Sequence, residues 1–178
     1  GELGGPPAAA RPPPQETPPP PDPAESGTPR APSGCVDPDP QVVATCLAPI
    51  GAIAVLPDGL SALVGERTTG RVLRVRQGAP AVVVTTIPVD ATGGGGLTGL
   101  VLSPAYAEDQ LVYAYITTPT DNRVVKLAAG EPPKPVFVGI PRGPAHNAGA
   151  LGVDADGLLL VATGDTGEDS AQPGSLAG

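Results

Sequence analysis

Ten short apolar runs, each rich in small or β-branched residues and closed by Gly, Asp or Pro, leave this chain little choice but strands joined by tight turns. They lie at 50–56 (IGAIAVL), 61–66 (SALVGE), 70–76 (GRVLRVR), 80–87 (PAVVVTTI), 98–103 (TGLVLS), 110–117 (QLVYAYIT), 121–128 (DNRVVKLA), 134–139 (KPVFVG), 149–154 (GALGVD) and 158–163 (LLLVAT). Helical periodicity is nearly absent, so the chain is expected to be all-β. "PDG" separates the first two runs and "ADG" the last two. Asp-Gly between apolar runs predicts a tight hairpin.

The runs also repeat. Segments 53–75 (IAVLPDGLSALVGERTTGRVLRV), 100–127 (LVLSPAYAEDQLVYAYITTPTDNRVVKL) and 151–167 (LGVDADGLLLVATGDTG) share one plan: apolar strand, Pro/Asp/Gly turn, second apolar strand, polar turn. Their starts fall about 47 and 51 residues apart. That period, with about four strands per unit, predicts a β-propeller, whose blades stack radially and bury apolar faces against one another. A flat sandwich would give short strands without the repeated turn chemistry. Only two full blades and part of a third fit between residues 41 and 178, whereas propellers close with four to eight. The chain is therefore expected to be part of a larger molecule, with an open edge prone to associate.

Composition divides the 178 residues in two. Residues 1–34 hold about a dozen of the 26 prolines and almost no bulky apolar side chain, so nothing offsets the entropy of ordering them. They read as a disordered, semi-rigid Pro-rich stalk, and residues 35–178 as one domain. Ten Lys and Arg against 18 Asp and Glu give a net charge of −8. Nucleic acid and anionic membrane surfaces thus find no electrostatic footprint. No run of 18 apolar residues occurs, and the N-terminus lacks the basic, apolar, small-residue order of a signal peptide.

The only two cysteines, Cys35 and Cys46, stand in "CVDPDPQVVATC". Zinc needs about four ligands, and this segment offers two. A local disulfide, and with it an oxidising, extracytoplasmic compartment, is the expectation, with two buried thiols as the other reading.

The only histidine is His146, in the polar loop "AHNAGA" ahead of an apolar hairpin that ends in "GDTG". Together with "GLVLSPAYAEDQLVYAYITTPTDNRVVKL" and "LPDGLSALVGERTTGRVLRV", the stretch "AHNAGALGVDADGLLLVATGDTGEDSAQPGSLAG" resembles the soluble pyrroloquinoline-quinone (PQQ) sugar dehydrogenases, the glucose/sorbosone dehydrogenase family, and more narrowly its envelope lipoprotein members in actinobacteria. The resemblance spans nearly all of residues 41–178. It implies a six-bladed propeller of which these residues are the first two to three blades, and the remaining blades as partners. It also implies His146 as the general base on the sugar's anomeric hydroxyl, in contact with the quinone, and Asp165 as its orienting carboxylate. A neutral imidazole is suited to that task near neutral pH, and a carboxylate fixes its tautomer.

Two positions depart from the family pattern. Gly94 in "GGGGLTG" stands where the family usually has Gln, and Ala150 where the His motif often ends in Arg. PQQ and calcium are the cofactors the resemblance implies, with the calcium ligands and the basic residues that grip the quinone expected after residue 178. The expected partners are a sugar and an electron acceptor, with membrane attachment only through a lipid anchor outside these residues. Two functions follow: PQQ-dependent oxidation of an aldose, with these residues inactive by themselves, or a non-catalytic envelope propeller that binds a protein or glycan, which Gly94 and Ala150 favour.

Other motifs read as structure. "GGGG" (93–96) lacks the Gly-Lys-Ser/Thr of a phosphate loop and is expected to be a flexible turn. "DADG" (154–157) has no later Glu at calcium-loop spacing, so a hairpin is expected. "GDTGEDS" (164–170) gathers three carboxylates and reads as a solvated turn, with a cation site as the other reading; "ERTTGR" (66–71) reads as a charged turn, and no residue of the chain is assigned as a metal ligand. Tyr106, Tyr113 and Tyr115 are too few and too strand-like for a base-stacking platform.

Overall fold

A computed structural model describes residues 34–167. The Pro-rich stalk, but for Gly34, and the carboxylates Glu168 and Asp169 lie outside them. The ten expected strands all form, within one to two residues of their sequence bounds. The first sheet is β1 (Ile50–Val55), β2 (Ser61–Glu66), β3 (Arg71–Arg76) and β4 (Val82–Thr86). The second is β5 (Leu97–Leu102), β6 (Val112–Thr117), β7 (Asn122–Leu127) and β8 (Lys134–Ile140). A hairpin of β9 (Gly149–Val153) and β10 (Leu159–Thr163) follows. Each strand pairs antiparallel with the next in sequence, in the orders β1-β2-β3-β4, β5-β6-β7-β8 and β9-β10.

The first strand of each sheet lies beside the first strand of the next, β1 against β5 and β5 against β9. This is a β-propeller, seen as two complete blades and the inner half of a third. Alternation along the strands gives each blade two faces. Leu63, Val72 and Ile87 of the first blade interlock with Leu100, Ala114 and Val125 of the second. The second blade turns Tyr115, Val124 and Ile140 toward Leu151, Leu159 and Val161 of the third. Strands β4 and β8 form the outer edges, where Val82, Val83, Val84, Val136, Phe137 and Val138 are exposed.

The far face of the first blade has its own cover. Val64, Leu73 and Val75 pack under Ala44 and Leu47 of the segment before β1. Cys35 and Cys46 are disulfide-linked, which closes that segment into a loop. Its connection to β1 is held by Glu66, fully buried at the end of β2. The Glu66 carboxylate accepts Nε and Nη2 of Arg71 at 2.6 and 2.7 Å, the Thr69 hydroxyl at 2.5 Å and the N–H of Ala48 at 2.9 Å. "ERTTGR" is thus a charged turn whose acid points inward, and the Arg71 hydrogen bonds outweigh desolvation to hold Glu66 at about 2.

The turns follow the sequence in two blades and depart from it in one. Asp58 accepts the N–H groups of Leu60 and Ser61, and Asp154 those of Asp156 and Leu158, so both Asp-Gly hairpins are closed by their aspartates. In the second blade the turn holds one helical turn, α1 (Tyr106–Asp109). There Ser103 donates to Asp109 at 2.6 Å and Asp109 accepts the Leu111 N–H, so an aspartate again closes the connection.

Two outcomes test this packing. The Glu66 carboxylate is more acidic folded than unfolded, so its stabilisation is complete above about pH 4.5 and is lost as pH falls toward 2. Urea midpoints should drop across that window, and Glu66→Gln should flatten the drop while lowering the midpoint at pH 7. Replacing both Cys35 and Cys46 by Ser should cost ~3 kcal/mol in the same unfolding measurement, from the regained freedom of a short loop.

Candidate active site

Three connections meet at one end of the inner strands: residues 91–96 before β5, 141–148 between β8 and β9, and 164–167 after β10. Backbone bonds tie them pairwise. Asn147 N–H donates to Gly93 O at 3.1 Å, Gly164 N–H to Ala148 O at 3.0 Å and Ala145 N–H to Thr166 O at 3.3 Å. The spacing is so close that a Cβ on Gly164 would fall 1.9 Å from His146 O, and one on Gly143 would fall 2.2 Å from Thr166 O.

This convergence brings His146 and Asp165 together. Nδ1 of His146 lies 2.6 Å from Oδ1 of Asp165. Both side chains are open to solvent, 66% and 64% exposed. A carboxylate only accepts, so Nδ1 carries the hydrogen, which leaves Nε2 of a neutral ring as an acceptor. Asp165 is made more acidic first by the Gly167 N–H, which reaches Oδ1 at 3.0 Å, and then by the His146 hydrogen bond. His146 has φ of +53°, a left-handed conformation that its β-carbon disfavours and that the loop must hold.

Asn147 follows it and is 1% exposed. Its Nδ2 donates to Gly93 O at 3.0 Å and to Gly143 O at 2.8 Å, and its Oδ1 accepts the Gly143 N–H at 2.9 Å and Asn122 Nδ2 at 3.3 Å. Sequence reading passed over this residue. Its partners lie up to 54 positions away, and the only local signal was a polar residue beside the chain's one histidine.

The "GGGG" segment is close-packed rather than loose. A Cβ on Gly93 would lie 2.5 Å from Asn147 Nδ2, on Gly95 2.5 Å from Thr117 Oγ1, and on Gly96 2.0 Å from Arg67 O. Gly94 alone faces open space, with His146 N at 3.8 Å from the position of a Cβ. Ala150 is exposed on β9, in register with Ala162 of β10.

Cationic groups near these connections are engaged within the fold. Arg142 Nη2 bonds Asp90 Oδ2 at 2.5 Å and Thr92 Oγ1 at 2.8 Å, and Arg67 Nη1 bonds Gly95 O at 2.9 Å. Thr92's hydroxyl and N–H, then Arg142, hold Asp90 below the ordinary carboxylate range. Among the described residues no group of three or more His, Cys, Asp or Glu is arranged to hold a metal ion. Tyr115 is a core residue, its ring against Gly149, and Tyr106 and Tyr113 pack at the margins of the clusters.

A sequence profile described as Glucose / Sorbosone dehydrogenase matches residues 48–177. Among solved structures, the PQQ-bound form of an aldose sugar dehydrogenase from Streptomyces coelicolor is 38% identical, with a TM-score of 0.64 over 71% of this chain and 41% of that one. An oxidoreductase (glucose dehydrogenase) from Thermus thermophilus is 34% identical, with a TM-score of 0.60 over 71% and 39%. The apo-form of the soluble aldose sugar dehydrogenase from Escherichia coli, at 24% identity and a TM-score of 0.61 over 68% and 39%, shares the fold. The chain therefore spans about two fifths of the length of these proteins. No curated protein sequence matches it.

Gly164→Ala should separate the paired connections, because its methyl group has no room against His146 O. We expect a loss of about 1–3 kcal/mol, the usual range for forced overpacking, in thermal or urea unfolding. The same substitution at Gly59, whose Cβ position meets nothing within 4 Å, serves as the comparison, with left-handed strain but no clash.

Proposed function

The chain belongs to the glucose/sorbosone dehydrogenase family, and on that premise we propose that the full-length protein oxidises an aldose at its anomeric carbon with PQQ, His146 acting as general base. The observation that carries this reading is the exposed His146–Asp165 pair, whose 2.6 Å contact through Nδ1 leaves Nε2 as the acceptor. The residues present fit the proton-accepting side of a quinone site. His146 and the Gly94 backbone, which leaves an open wall beside it, are the groups of this chain that would touch PQQ. When bound, PQQ supplies the two-electron acceptor for the hydride leaving C1 of the sugar.

His146 Nε2 takes the proton from the anomeric hydroxyl as the C1–H bond breaks, so that the aldose becomes a lactone. Asp165 meets the growing positive charge on the imidazole and keeps its tautomer fixed throughout. Because Arg67 and Arg142 are engaged within the fold, we assign the cations that grip PQQ, and the calcium ligands, to blades beyond these residues. The same blades would cover exposed Ile53 and Val55 on one side and Leu158 and Leu160 on the other. On this reading the 178 residues by themselves are inactive.

The disulfide supports an extracytoplasmic site of action. Among the described residues no helix is long and apolar enough to cross a membrane. We propose attachment to the cell envelope through a lipid anchor, as the resemblance to envelope lipoprotein members implies.

Dye reduction by the full-length protein, loaded with PQQ and calcium and offered a panel of aldoses, tests the proposal. We expect His146→Ala to lower kcat by roughly 10²- to 10⁴-fold, the usual contribution of a general base. Asp165→Asn should lose less, chiefly in kcat. Absence of PQQ-dependent turnover with every aldose would overturn the reading and favour a binding propeller at the cell surface.

A further inference from the structure

We propose that Asn147 is a positioning residue that keeps the His146 imidazole in register with Asp165; the proposal rests on His146 being the base. The imidazole is 66% exposed and makes one hydrogen bond among the described residues, to Asp165. That one bond and the backbone position are what set its orientation. Its register with the carboxylate depends on where the backbone of residue 146 is held, in a left-handed conformation.

The next residue holds it. Every polar group of Asn147 is engaged: its N–H on Gly93 O, its C=O accepting Thr117 Oγ1 at 3.4 Å, and its amide on Gly93, Gly143 and Asn122. Asn122 Nδ2 also donates to Pro141 O at 2.7 Å, so one network joins both ends of the 141–147 connection to the second blade. Asp165 is tied to this same connection on either side of His146, through Ala145 N–H on Thr166 O and Gly164 N–H on Ala148 O. Between those two ties the backbone is fixed by Asn147, which thereby sets where the residue 146 imidazole stands relative to the carboxylate. An aspartate would not replace it, since two of its four side-chain bonds are donated to carbonyls.

His146 is the chain's only histidine, so its ring nitrogens can be followed without ambiguity by ¹⁵N NMR on histidine-labelled 178-residue chain, at a pH where the ring is neutral. In the unaltered chain we expect the hydrogen on Nδ1. Asn147→Ala should move the ring toward the Nε2–H form and reproduce the spectrum of Asp165→Asn, which removes the carboxylate directly. Asn147→Ser, a milder change, should shift it the same way if Asn147→Ala does not fold. Persistence of the Nδ1–H form in either folded variant would overturn the proposal. So would loss of the fold in both, because the amide would then hold the blades rather than the imidazole.

In the loaded full-length protein Asn147→Ala should lower kcat by about 100-fold, the scale of a misplaced reacting group, with KM little changed. The NMR result needs neither PQQ nor sugar. A tautomer shift without any dehydrogenase activity would remove the proposed reaction and leave the positioning role, whereas activity with an unmoved tautomer would do the reverse.

Discussion

Neighbouring blades can approach as closely as they do only because glycine lines the inner strands. A Cβ on Gly51 would lie 2.1 Å from Leu97 O, one on Gly65 2.6 Å from the Leu97 side chain, and one on Gly149 2.4 Å from the Tyr115 ring. With those positions bare, Leu97 and Tyr115 become fully buried knobs between blades. Backbone bonds then cross from one blade to the next, from Leu97 N to Arg67 O and from Asp90 N to Thr117 O. Larger residues there would push the blades apart and sacrifice both the burial and the bonds.

The site is a consequence of that closeness. The connections that enter β5 and β9 and the one that leaves β10 share one end of the fold, and their glycines let backbone lie on backbone. His146 and Asp165, 19 positions apart, meet because the β9–β10 hairpin returns the chain to its starting level. Asn147 and Gly93 meet because β5 and β9 are neighbours. The exposed pair stands beside Asn147, a buried residue whose amide is bonded to Gly93, Gly143 and Asn122.

The sequence carried the architecture well. Alternating apolar runs and Asp-Gly turns marked all ten strands and the blade repeat, because period-two burial and turn closure are local properties. His146 and Asp165 could be singled out as well, the first by its rarity and both by resemblance to a family. What escaped leaves no periodic pattern in the sequence. Glu66 looked like part of a solvated turn, yet Arg71, Thr69 and Ala48 surround it. The glycines at 93–96 looked loose, yet Thr117, Arg67 and Asn147 leave three of the four no room for a side chain. Helix α1 escaped because its single turn is too short to show a helical period.

We have proposed that hydrogen is removed from the anomeric carbon of a sugar at the His146–Asp165 pair. The rate of dye reduction by the full-length protein with an aldose deuterated at C1, compared with the unlabelled sugar, tests it most directly. The account predicts a primary isotope effect on kcat/KM under conditions where the chemical step limits the rate. Equal rates for the two sugars, or no oxidation of either, would contradict it.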